Sequence, residues 1–211
     1  ILEGTLTMRI LLTLLLVFFA STPVFAADEN AWITEAYHRA THHEQTGNYS
    51  NAIKALLPVL RAYPSGYTVN LRMAWLYYLL GHYANSIAHY DVAIKMAPNA
   101  VEPKTGLLLP QLAQERYSEA EQTAYKILKT DFYNYYGNLR LIVALRNQNK
   151  TDLAIKVVNK MLILYPTDVT FLAELGLLYL QQGEQEQAMA VFKNLIILDK
   201  DNVTANTYLG K

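Results

Sequence analysis

A small residue returns every 34 positions through most of this chain, as Ala52, Ser86, Ala120, Ala154 and Ala188. A fixed period of that length marks a helical solenoid, in which each short unit stacks on the next because none can bury its apolar face alone. Such a fold offers partners a long continuous surface and seldom performs chemistry itself. Counting Ile33 as phase 1, the units begin at Ile33, Tyr67, Val101, Tyr135 and Val169. They divide the chain, without insertion, into 33–66, 67–100, 101–134, 135–168 and 169–202.

Other phases carry the same rhythm. A branched aliphatic stands at phase 28 in every unit, as Leu60, Ile94, Leu128, Leu162 and Ile196. Within a unit, apolar residues recur at helical spacing on two segments, for example Ala74, Tyr77 and Tyr78, then Ile87, Tyr90 and Ile94, which predicts two amphipathic helices. Gly47, Gly81 and Gly183 fall between the segments, where the chain must leave a helix in a conformation most residues resist. Pro64, Pro98 and Pro166 close three of the second segments, with Phe132 and Lys200 as exceptions. Ser118 with Glu121 reads as a capping box for the second helix of unit three. Pro58 and Pro110 fall inside helical segments, where kinks are expected.

Jointly these phases resemble the tetratricopeptide repeat family over residues 33 to 202. Unit two is the nearest match, with Ala74, Tyr77, Gly81, Tyr83, Tyr90, Ala93, Ile94 and Pro98 at the family's positions. Unit five supplies Leu172, Gly176, Tyr179, Gly183, Ala188 and Phe192. The resemblance implies an all-α fold, a right-handed superhelix of stacked antiparallel helix pairs, that binds protein partners and is not an enzyme.

The two ends are of another kind. Met8-Arg9, the apolar run Ile10 to Ala20 and the small-residue pattern Val24-Phe25-Ala26 read as a secretory signal peptide over 8–26, cut after Ala26. The run is about half of the roughly 20 residues a membrane span needs, so no transmembrane span is expected in the mature chain. Residues 1–7 precede the plausible start at Met8, and 27–32 form a short lead-in. At the other end, 203–211 repeat the opening of a unit, with Leu209-Gly210 on the phase of Leu175-Gly176. A truncated sixth unit is therefore expected, followed in the full protein by more repeats or another domain. The leader implies export, and the expected location is outside the cytoplasm, in the periplasm.

Composition narrows the function further. With 18 basic and 18 acidic residues there is no basic field for nucleic acid or anionic membranes, and with no Cys there is no disulfide framework or thiolate metal site. No phosphate loop or nucleophile elbow is present. His38 and His42 have the spacing of helical metal ligands, but no carboxylate accompanies them as in a metalloprotease motif, and they read as packing or surface residues. No metal, cofactor or catalytic residue is expected.

In the family the first helices line a concave groove. Carried onto this chain, the groove phases hold Tyr37 and His38 in unit one, then Arg72, Trp75 and Tyr78 in unit two. Unit four contributes Tyr136, Arg140, Arg146 and Asn147. Aromatic and Arg side chains are the usual anchors of interfaces. The three arginines would favour an extended, carboxylate-bearing protein segment or an acidic glycan. The Lys and Asn set with which chaperone-binding relatives clamp a carboxylate is absent. The resulting expectation is a protein-interaction scaffold of the bacterial envelope. The alternative is the amino-terminal periplasmic repeat region of a larger exopolysaccharide-export or outer-membrane assembly protein.

Overall fold

The computed structural model describes residues 30–210. The leader reading and residues 1–7 lie outside them. The described residues form eleven helices and no strand. In chain order these are α1 (Ala31–Gln45), α2 (Tyr49–Ala62), α3 (Tyr67–Leu79), α4 (Tyr83–Met96), α5 (Glu102–Ala113) and α6 (Tyr117–Leu128). They continue as α7 (Tyr135–Asn147), α8 (Thr151–Leu164), α9 (Val169–Gln182), α10 (Gln185–Leu198) and α11 (Val203–Leu209). Each helix packs on its successor, and α3 also touches α5, α5 touches α7 and α7 touches α9. The odd-numbered helices therefore form one continuous wall and the even-numbered ones back it, which is an all-α superhelical solenoid.

The period fixes where helices turn. Every even-numbered helix from α2 to α10 starts at phase 17, and the residue two positions earlier is left-handed in all five units. Gly47, Gly81 and Gly183 take that conformation at φ of 72°, 77° and 83°. In units three and four Glu115 and Asn149 adopt it, at 57° and 58°, without glycine's freedom. Because α6 starts at Tyr117, Ser118 lies inside the helix and the capping box is not formed. Arg116 holds the N-cap position without a side-chain cap, its guanidinium engages Glu119, and Glu121 accepts from Lys150 and Gln148.

Between the layers, the small residues at phase 20 are all fully buried. Ser86 is a full member of this ladder, since its hydroxyl donates to the Ala74 carbonyl at 2.7 Å. The facing phases trade volume: Phe192 is fully buried against Gly176, where an added Cβ would meet the ring at 2.4 Å.

A proline at phase 32 accompanies the exit of the second helix in three units but is not necessary for it. Helices α2, α4 and α8 end two residues before Pro64, Pro98 and Pro166, yet α10 ends at the same phase ahead of Lys200. A second device serves the exits. The Asn70 amide donates to the Pro64 carbonyl at 2.9 Å, Asn138 to Phe132 at 3.0 Å and Asn206 to Lys200 at 3.0 Å. These carbonyls follow a helix end and need an outside donor. Pro58 and Pro110 lie inside α2 and α5, and both helices continue through them.

Candidate functional site

The wall of odd-numbered helices carries the candidate groove, and its side chains meet by a simple rule. Phase 12 of one unit lies 28 residues before phase 6 of the next, and these two positions face each other across adjacent helices. On the first rung Glu44 pairs with Arg72. On the fourth the charges are exchanged, and Arg146 Nε lies 2.9 Å from Glu174 Oε2. Both pairs are largely shielded from solvent, where opposite charges neutralise each other more fully than at the surface.

The two middle rungs break this rule. Tyr78 is followed 28 residues later by Gly106, and Leu112 by Arg140. Leucine cannot pair a guanidinium, so Arg140 is left without a carboxylate among the described residues. Its Nη1 donates to the Thr105 carbonyl at 2.6 Å, and its guanidinium lies 5.1 Å from the centre of the Tyr136 ring. Burial lowers its pKa, while the neighbouring Tyr78, Tyr136 and Tyr90 oppose that shift. The group remains a cation all the same, because arginine does not lose its proton in proteins.

Gly106 serves the same region by having no side chain. Tyr90, rising from α4, fills the space, and a Cβ on Gly106 would come within 2.4 Å of its ring. Burial pushes the Tyr90 hydroxyl up to about 12, so it stays protonated and able to donate. Beside it a cavity of about 380 Å³ opens between α3 and α5, with Arg72, Trp75, Tyr90, Glu102 and Gly106 in its walls. Trp75 is fixed there: its Nε1 donates to Glu44 Oε1 at 2.8 Å, and its ring stacks on Tyr78 with centroids 5.7 Å apart.

Arg72, Trp75, Tyr78, Tyr136 and Arg140 thus gather in the middle of the groove. Arg146 lies further along it, already paired. Tyr37 is half-buried and packs on the core between α1, α2 and α3, with burial raising its pKa and Arg72 opposing. His38 is exposed on α1. Asn147 turns back to its own helix, donating to the Val143 carbonyl at 2.8 Å. Among the described residues no group of three His, Asp or Glu side chains could hold a metal ion. No helix among them is long and apolar enough to cross a membrane.

Sequence reasoning missed Glu44 and Glu174, and so overstated the positive charge offered by Arg72 and Arg146. The signal was present as opposite charges 28 residues apart at facing phases. It also missed Tyr90, a second-helix residue that reaches the groove only because Gly106 makes room.

Comparison with known proteins agrees with this architecture. A tetratricopeptide repeat model matches residues 37–101 and 139–203. A tetratricopeptide repeat protein of Parabacteroides merdae ATCC 43184 superposes with a TM-score of 0.77 at 18% identity, over 87% of this chain and 72% of that one. MamA of Desulfovibrio magneticus RS-1 gives 0.74 at 15% identity, over 82% and 98%. MamA AMB-1 gives 0.68 at 26% identity, over 79% and 99%. No curated protein matches the chain.

Proposed function

From the premise that the chain belongs to the tetratricopeptide repeat family, whose members scaffold protein interactions, we propose that it docks a partner segment in the groove between α3 and α7 without catalysis. The observation that carries this reading is Arg140, a shielded groove cation with no carboxylate partner among the described residues, ringed by Tyr78, Tyr90 and Tyr136. Arg72 and Arg146 hold their charge in reserve for Glu44 and Glu174. The partner is therefore an extended protein segment with one carboxylate for Arg140 and an apolar or aromatic residue for the cavity beside Trp75. A carboxylate bonded to a shielded guanidinium is worth roughly 1.5–3 kcal/mol, enough to fix the register of a bound segment. The Met8 to Ala26 leader supports a setting in the bacterial envelope, most simply the periplasm.

The test is capture from envelope extract on immobilised wild type and on Arg140→Glu, with thermal melts to establish that both are folded. Loss of partners from the variant supports the reading. Equal recovery of the same partners would remove the groove from consideration.

A further inference from the structure

A second recess lies on the opposite side of the molecule, between the backing helices α6 and α8. It measures about 430 Å³, and Tyr125, Leu128, Phe132, Leu141 and Val157 give it an apolar lining. Lys129, Lys156 and Lys160 also line it. The Lys160 ammonium lies 3.9 Å from the centre of the Phe132 ring and donates to the Phe132 carbonyl at 3.1 Å. Its other acceptor is Asn138 Oδ1. None of these contacts neutralises its charge. Lys129 and Lys156 are exposed and form no ion pair among the described residues.

The repeat supplies its own controls for this arrangement. Between units one and two, the positions of Lys129, Lys156 and Lys160 are held by Arg61, Ala88 and Val92; between units two and three, by Lys95, Gln122 and Lys126; between units four and five, by Ile163, Ala190 and Asn194. The preceding junction keeps two of the lysines, but the full set of three occurs at the junction of units three and four, and it is not imposed by the fold. At this junction Phe132 also replaces the proline found at that phase in units one, two and four, and it is 57% exposed. Tyr125, at 47%, adds a second large apolar side chain to water. Uncompensated like charge around exposed aromatic surface is complementary to an apolar group flanked by anions.

We propose that this recess is a second docking site, for a partner-protein segment in which a bulky apolar side chain is flanked by Asp or Glu. The apolar side chain enters between Leu128 and Val157, and the flanking carboxylates meet Lys129 and Lys156. A recess, as opposed to a protruding rim, favours an inserted side chain over a flat lipid surface. The site is independent of the groove, since the backing helices and not the odd-numbered wall form most of it.

The test uses NMR of methyl and tryptophan indole groups on the full chain with an acetylated, amidated peptide carrying Phe-Leu between two acidic residues on each side. Expected are shifts at Leu128 and Val157, an unmoved Trp75 indole signal, and at least tenfold weaker binding to Lys129→Glu plus Lys156→Glu. Both lysines are exposed, so the double variant should fold. Peptides with Lys in place of the acids, or Ser in place of Phe-Leu, should leave these methyls unshifted. Equal binding of the basic peptide, unchanged affinity in the double variant, shifts at Trp75 in place of Leu128, or binding only to phosphatidylglycerol vesicles would each overturn the proposal.

Discussion

Gly176 on α9 and Phe192 on α10 are matched as absence to presence: a Cβ on the glycine would stand 2.4 Å from Cε1 of the ring. Phe192 is fully buried and stacks on Tyr208 with centroids 5.4 Å apart, so its ring has little room to retreat. Gly176→Ala ordinarily favours a helix by about 1 kcal/mol. Here overpacking should reverse the sign and destabilise by roughly 1–3 kcal/mol. Urea unfolding of the variant checks this, and a gain in stability would show that the ring moves freely.

Glu115 makes the opposite prediction. Its φ of 57° is a conformation that costs an ordinary L residue roughly 1–2 kcal/mol, and Gly47, Gly81 and Gly183 occupy the same phase elsewhere. Glu115→Gly relieves that strain and loses part of the gain to the greater freedom of glycine in the unfolded chain. Its Cα lies at an exposed turn, so no packing is disturbed. A net stabilisation of up to about 1 kcal/mol is expected, visible as a melting temperature a few degrees higher. An unchanged or lower value would place the strain elsewhere.

Local rules and long-range pairing were unequally legible. Period, turn and small-residue ladder each depend on a residue's own phase, so Gly81, Ala154 and Tyr83 announced their positions directly. Glu115 hid its turn because charge and backbone strain leave no periodic mark. The family's groove phases, carried onto this chain, put Arg72, Trp75, Tyr78, Tyr136 and Arg140 on the first helices, and in the structure all five lie on the odd-numbered wall. What phase alone could not give was their electrostatic state, because Glu44 reaches Arg72 from the preceding unit and Glu174 reaches Arg146 from the following one. The failed capping box has the same origin: Ser118 and Glu121 have the right spacing, but the hairpin starts α6 two residues too early for them to close it.

His89 gives the fold a pH dependence whose sign follows from its surroundings. The Asn70 amide nitrogen donates to the Pro64 and Gly66 carbonyls, so its Oδ1 is the acceptor in the 2.8 Å contact with His89 Nδ1, which must carry the proton. The ring also lies flat on Tyr77, with centroids 5.4 Å apart and planes 9° from parallel. Burial lowers the pKa of His89 below its ordinary value of 6.5. The unfolded chain therefore binds a proton more readily than the folded one as the pH falls through that value. The stability held by neutral His89 is present above about pH 6.5 and is lost progressively on acidification towards the lower folded-state pKa. Thermal melts from pH 7.5 to 5 should show a decline that His89→Gln, which does not titrate and can still donate to Asn70, makes shallower. Asn70→Leu should cost roughly 1–3 kcal/mol at neutral pH, because the Pro64 carbonyl loses its donor and His89 its acceptor. An identical pH slope in wild type and His89→Gln would assign the acid sensitivity to other groups.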